Sequence, residues 1–162
     1  MARVMMLPPN QPAKNRVIFI NDFAVGPGCP NKRDDVMLVQ FMLGAIGMFS
    51  ARPENSRYDY APSLAPRNLA PDGVCGPYTI AYIKSFQNQG SLAYASGSPL
   101  RMIEDGLVSP VKKGVPWSAG GHALTMVRMN KVYVDLLGAN AHLDPAQWFL
   151  MPFELRTALF MN

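Results

Sequence analysis

The stretch LAPDGVCGPYTIAYIKSFQ, residues 69–87, combines a turn, a helix start and an apolar stripe. Asp72-Gly73 is a turn signal, because glycine takes positive φ without penalty and the aspartate side chain hydrogen-bonds the backbone of its own turn. Pro77 suits the first position of a helix, where its missing N–H costs nothing. Three apolar residues then repeat at helical spacing: Ile80, Ile83 and Phe86. We therefore predict a tight turn that leads directly into an amphipathic helix.

Composition places the chain among single-domain proteins with an unusually apolar surface. Its 162 residues correspond to about one domain. Hydrophobic residues make up 49% and charged residues only 16%, below the ~25% charged residues of an average soluble domain. Such a surface is poorly solvated for a free monomer, so we expect other protein subunits as partners.

The net charge of +4 permits weak attraction to polyanions. The basic residues are scattered, however, and the only adjacent lysines are Lys112 and Lys113. Arg52, Arg57 and Arg67 share one long polar segment, for which a solvated loop is a better interpretation than a phosphate-binding patch. We therefore predict no nucleic-acid partner.

The first predicted helix spans residues 31–49, with Asn31 or Asp34 as its cap. Four residues form its main apolar stripe: Val36, Val39, Leu43 and Ile46. Gln40 is the only conventionally polar side chain between Val36 and Phe49. A helix that is apolar all round is buried on several sides, so we expect the rest of this chain or neighbouring subunits to cover it.

The remaining segments are assigned from the positions of proline and glycine and from the spacing of apolar residues. Residues 1–15 contain three prolines and predict an extended arm, and residues 17–20 predict a strand that must pair with another segment or with another chain. A third helix is expected from a cap at Ser118 to Leu137, with Gly138 as its C-terminal cap. Asp144-Pro145 opens a short helix, which Pro152 breaks or restarts, in an apolar tail.

Catalytic and metal signatures are weak. The two cysteines, Cys29 and Cys75, have no zinc or redox spacing, and both a disulfide between them and two partly buried thiols remain open. His122 and His142 match no metallopeptidase motif, and a base for Cys75 has no local signature. No carboxylate pair stands out for glycoside hydrolysis. We therefore predict no catalytic residues, no metal, no cofactor and no enzymatic activity.

At the level of motifs the chain resembles the small three-helix peptidoglycan-binding domains that occur beside cell-wall hydrolases. The first helix matches their pattern at Asp35, Val36, Val39, Gln40 and Leu43. The first turn and second helix match it at Asp72, Gly73, Gly76, Thr79, Ala81, Phe86 and Gln87. The second turn matches it at Asp105, Gly106 and Val108. The resemblance covers roughly residues 31–138.

The resemblance implies a mainly α fold: a three-helix peptidoglycan-binding-like domain with long loops, a short N-terminal strand and extended arm, and an apolar C-terminal helical tail. The corresponding segments are residues 1–30, 31–138 and 139–162. A glycan ligand would lie near the entry of the second helix, where the candidates are Tyr78, Tyr82 and Asn88. The candidates for a protein interface are Met37, Phe41, Met48, Trp148, Phe149, Phe153 and Phe160.

Two functions are compatible with these features. We expect a non-catalytic structural subunit of a large assembly, such as a phage tail, a baseplate or a contractile injection machine, built on a peptidoglycan-binding-like domain. The alternative is a free-standing module that targets the bacterial cell wall. No signal-peptide pattern or apolar run of membrane-spanning length is visible, so we expect synthesis in the cytoplasm and association with a virion or secretion machine, without a membrane span.

Overall fold

A computed structural model describes residues 2–6, 17–52, 59–66, 68–110, 118–119, 122–138 and 151–160. Within these residues the chain is mainly helical, as predicted. The elements in chain order are β1 (Arg3–Met6), β2 (Val17–Ile20), α1 (Arg33–Ser50), α2 (Pro77–Ser91), β3 (Ser118–Ala119), β4 (His122–Ala123), α3 (Thr125–Leu137) and α4 (Phe153–Phe160).

The predicted strand β2 finds its partner in the N-terminal arm. It pairs antiparallel with β1, and Arg3 lies opposite Ile20. The strand is anchored to α3 by the buried Asn130, whose Oδ1 accepts the N–H of Phe19 at 2.7 Å and whose Nδ2 donates to the carbonyl of Phe19 at 2.8 Å. This side chain satisfies backbone groups that a two-stranded sheet leaves unpaired.

Helix α1 lies at the centre of the fold, where it packs against α2, α3 and α4. Its residues from Val36 to Leu43 are all buried, on every side of the helix. Two covers were expected for this helix, the rest of the chain or neighbouring subunits, and the chain's own elements provide much of it.

The predicted caps of α1 are wrong. The N-cap position is Lys32, whose side chain makes no capping hydrogen bond to any described residue. Asn31 instead bonds both backbone groups of Gly26, at 2.9 Å and 3.0 Å. The carboxylate of Asp35 accepts the N–H groups of Asp22 and Phe23. Burial raises the pKa of Asp35, and these two donors counteract part of that rise. The first turn of α1 therefore orders the segment that precedes it.

The start of α2 is as predicted, with Pro77 in its first turn. The start of α3 is not as predicted: the helix begins at Thr125, and Ser118 lies in β3, which pairs antiparallel with β4. The cap at Gly138 is confirmed, with φ of 99° and an N–H that donates to the carbonyl of Val134 at 2.8 Å.

The C-terminal helix α4 follows Pro152 and packs against α1 and β1. The helix predicted to open at Asp144-Pro145 lies outside the described residues. The hydrophobic core of the described residues runs from Ala2 to Leu159 and includes residues from all three predicted segments. Among the described helices, none has the length and hydropathy needed to cross a bilayer.

Replacing Gly26 with alanine should lower the free energy of unfolding by about 2 kcal/mol. Gly26 has φ of +138°, and a Cβ there would overlap the carbonyl oxygen of Gly106. Gly28 also has positive φ, but a Cβ at that position would meet no atom within 4 Å, so Gly28→Ala is the matched control and should be milder. Urea unfolding measures both, and equal losses would contradict the role of the Gly106 contact.

Candidate functional site

Gln40, buried in α1, ties the first Asp-Gly turn to the start of α2. Its Nε2 lies 2.8 Å from Oδ1 of Asp72 and 3.0 Å from both the carbonyl oxygen of Val74 and the hydroxyl of Thr79. Its Oε1 accepts the N–H of Gly73 at 2.8 Å. We call these five residues the first clamp.

Gln87, buried in α2, makes the same set of contacts with the second Asp-Gly turn and the start of α3. Its Nε2 lies 2.9 Å from Oδ1 of Asp105, 3.0 Å from the carbonyl oxygen of Leu107 and 3.1 Å from the hydroxyl of Thr125. Its Oε1 accepts the N–H of Gly106 at 2.9 Å. These five residues form the second clamp.

Both turns close in the same way. The carboxylate of Asp72 accepts the N–H of Val74 at 2.8 Å, and that of Asp105 accepts the N–H of Leu107 at 2.8 Å. The glycines between them have φ of +77° and +76°. The predicted turn chemistry is confirmed, and the structure adds that each turn is held by a glutamine from the preceding helix.

The two clamps differ in what lies against them. The segment before α1 covers the second turn: Val25 and Val108 exchange two backbone hydrogen bonds, of 3.1 Å and 2.8 Å. The side chain of Asn21 also donates to the carbonyl of Val108 at 3.1 Å. Val108 is fully buried as a result.

The first clamp borders a surface cavity of about 230 Å³, which we call the entry cavity. Gln40, Asp72 and Thr79 line it together with the amide of Asn68 and the ring of Tyr78. Tyr78 is 57% exposed. The exposed lining of the cavity is mostly apolar, because Gln40 and Thr79 are almost fully buried and bonded within the clamp. Tyr78, Asn68 and Asp72 are its exposed aromatic and polar residues.

The structure separates the three predicted glycan-binding residues. Tyr78 lines the entry cavity, whereas Tyr82 is 0% exposed and donates its hydroxyl to the carbonyl of Pro66 at 2.6 Å. Asn88 is exposed but lines neither described cavity, and its amide donates to Glu104 at 2.9 Å. A side chain with no exposed surface does not meet a ligand, which excludes Tyr82 as a contact residue. Tyr78 and Asn88 remain exposed, and of these two Tyr78 lines the entry cavity.

The predicted interface residues are also divided. Met37 and Phe41 are buried in this chain's own core, and Phe160 is half-buried against Phe19. Met48 and Phe153 are exposed, at 42% and 70%. Trp148 and Phe149 lie outside the described residues.

The residues weighed for catalysis are not assembled into a described site. Cys29 and Cys75 are free thiols, and burial raises the pKa of Cys75, which disfavours its nucleophilic thiolate form. The backbone of His122 lies in β4, but its side chain and all of His142 are outside the described part. Within that part, no three His, Cys, Asp or Glu side chains are grouped as metal ligands.

Acid should weaken the first clamp. The pKa of Asp72 lies below its usual 3.8 because the N–H of Val74, and then the amide of Gln40, bond the carboxylate. A lowered folded pKa means that this stabilisation is complete above pH 3.8 and is lost as pH falls through the folded pKa. The difference in unfolding free energy between wild type and Asp72→Asn should therefore shrink on acidification below that value. Urea titrations at neutral and acidic pH test this, and a pH-independent difference would contradict it.

Sequence reasoning identified both turns but missed the clamps. The signal that could have found them was Gln40 itself, a lone amide in an otherwise apolar helix, because a buried amide needs hydrogen-bond partners. Gln87 gave a weaker signal, since it follows Phe86 at the polar edge of its helix.

Comparison with models of known protein families, with curated proteins and with solved structures found no match to this chain.

Proposed function

We propose that this chain is a non-catalytic, peptidoglycan-binding-like domain that contacts the bacterial cell wall through the entry cavity. The observation that carries the proposal is the position of the first clamp. Its Asp-Gly turn and the start of α2, which carry the resemblance, border a cavity that contains the exposed Tyr78. The resemblance of the sequence supplies the wall as the target.

The lining of the entry cavity suits a neutral sugar derivative. The ring of Tyr78 presents a flat apolar face, and aromatic side chains contribute contact area together with a polar tip. Asn68 and Asp72 supply amide and carboxylate groups beside that ring. Gln40 bonds both Asp72 and, in α2, Thr79, so the first clamp holds the Asp72 carboxylate beside the start of α2.

Replacing Tyr78 with alanine should weaken binding to purified sacculi by about tenfold, because the loss of one well-packed aromatic contact is worth about 1.4 kcal/mol. Co-sedimentation with increasing amounts of sacculi measures this. Phe153→Ala is the matched control, since Phe153 is an exposed aromatic residue that is not among the residues of the entry cavity. Failure of sacculi to retain the wild-type chain would overturn the proposal.

A second candidate function, as a structural subunit of a large assembly, is favoured by apolar side chains exposed after α2. Leu92, Leu100 and Ile103 are each more than half exposed and lie in the segment between α2 and the second Asp-Gly turn; contiguous exposed apolar surface marks protein interfaces. The burial of Met37 and Phe41 removes two of the residues expected at such an interface. Analytical ultracentrifugation should show self-association that replacement of all three exposed residues with serine abolishes; a strictly monomeric wild type would count against it.

A further inference from the structure

A second surface cavity, of about 540 Å³, lies further along α2. We call it the distal cavity. Ser85 and Gln89 of α2 line one side, and Asp59, Ser63 and Ala65 of the preceding loop are among the residues on the other. It therefore offers hydroxyl, amide and carboxylate groups beside small apolar surfaces.

Both cavities lie between α2 and the loop that precedes it, and Gln40 of α1 also lines the entry cavity. Pro66, residues 68–70 and Asp72 line the entry cavity beside the start of α2, whereas Asp59, residues 61–63 and Ala65 line the distal cavity beside its later turns. Tyr78 and Ser85 lie on one face of α2, two turns apart, which corresponds to roughly 10 Å. The cavities are thus adjacent sites along one helix face.

The bond between Tyr82 and Pro66 lies between the two cavities. Pro66 lines the entry cavity and its neighbour Ala65 lines the distal cavity. The Tyr82 hydroxyl donates to the Pro66 carbonyl at 2.6 Å, so it holds the loop against α2 at the junction. Tyr82 is accordingly a positioning residue and not a contact residue.

The chemistry of the cavities selects among extended ligands. Each contains one carboxylate, from Asp72 or Asp59, and none of the described residues that line them is basic. The described lining therefore supplies no cation for an anionic polymer such as a nucleic acid or a polyol phosphate, which binds through Lys and Arg. A neutral chain with many hydroxyl and amide groups is favoured.

An extended peptide is a poorer fit. Peptides that bind in extended form are usually held by main-chain hydrogen bonds at a sheet edge, and this groove is bounded by a helix and a loop. The loop N–H groups of Tyr60, Ala61 and Ala65 are already bonded to Ser50, Asp59 and Pro62. Side-chain groups remain as the principal means of recognition.

We infer that the entry and distal cavities are two subsites for one extended, uncharged oligosaccharide that lies along α2 and crosses the Tyr82–Pro66 junction. The inference rests on the proposed function and extends it, because it specifies that the chain recognises the glycan strand of the wall over more than one sugar and does not recognise its peptide.

Isothermal titration calorimetry with N-acetylglucosamine and progressively longer soluble chitin oligomers tests the inference, since these share the amino-sugar chemistry of wall glycans. Affinity should rise at least about tenfold from the monosaccharide to the oligomers that span both cavities. Ser85→Leu fills the distal cavity and should abolish this rise, whereas Ser109→Leu makes the same change at an exposed position outside both cavities. Gln89→Leu provides a second distal variant if Ser85→Leu fails to fold.

Several outcomes would overturn the inference. These are affinity that is independent of oligomer length, a length dependence that survives both distal variants, and a wall stem peptide that binds with the dependence on Ser85 expected of the oligomers. Retention of the wild type on sacculi together with any of these results would leave the entry cavity as a single site. Loss of wild-type retention on sacculi would instead remove the proposed function.

Discussion

Replacing Gln87 with leucine should lower the free energy of unfolding by about 3 kcal/mol, because it removes the centre of the second clamp. Gln87 is 1% exposed, and its amide contacts Asp105, Leu107 and Thr125 while its oxygen accepts the N–H of Gly106. Gly106 is buried, so its N–H would be left without a partner and without water. The loss corresponds to a fall of about 10 °C in Tm for a chain of this size.

The control is Gln89→Leu, the same substitution two residues later in α2. Gln89 is half-buried and borders the distal cavity, so its replacement should change stability by less than about 0.5 kcal/mol. Urea unfolding followed by circular dichroism compares the two variants. Equal stability of both would refute the structural role of the clamp. Gln40→Leu should act like Gln87→Leu, because the first clamp makes equivalent contacts.

Replacing Asn130 with leucine should also lower the free energy of unfolding by about 3 kcal/mol. Asn130 bonds the N–H and the carbonyl of Phe19 and the carbonyl of Met126 in a buried position. Leucine is similar in size but satisfies none of these groups. The loss should loosen the contact between β2 and α3, which the hydrogen-exchange rate of the Phe19 amide reports.

Asn88→Leu is the matched control for Asn130→Leu. Asn88 is exposed and makes one side-chain hydrogen bond, to Glu104, so this change should stay within about 0.5 kcal/mol. Fast exchange of the Phe19 amide in the wild type, or unchanged exchange in Asn130→Leu, would show that the asparagine does not anchor the strand.

The two clamps explain why the residues of the sequence resemblance cluster at the Asp-Gly turns and at the glutamines of α1 and α2. In each clamp, one glutamine amide bonds a turn and the first turn of the next helix. Side-chain hydrogen bonds, together with packing, therefore fix the position of each helix relative to the one before it. The segment before α1 covers the second turn, whereas the first turn borders the entry cavity, which is the proposed ligand site. The repeated clamps therefore have a structural role. Among the described residues, only the second clamp is covered by the segment before α1, and this difference supports the proposed binding role of the first.

Local sequence patterns determined the turns and several helix ends of this protein. Asp72-Gly73 and Asp105-Gly106 specify turns because only short-range backbone and side-chain geometry is involved, and Pro77 and Gly138 mark helix ends for the same reason. The predicted α1 cap and start of α3 are wrong, because the Asn31 side chain bonds Gly26 and Ser118 lies in a strand that pairs with β4. Helix and capping propensities depend on local sequence and do not include hydrogen-bond partners from other segments.

Only the tertiary structure decided which side chains are available for function. Tyr78 and Tyr82 are one helical turn apart, yet one is exposed in a cavity and the other is buried beneath the loop at Pro66. Met37 and Phe41 likewise lie in the core and not at a surface. Burial depends on which distant segment packs over each face, and that information resides in contacts between residues far apart in the chain. The sequence by itself determined the turns and the helix that follows Pro77, whereas the packing of the loop against that helix determined which of its side chains are exposed and so where the proposed ligand site lies.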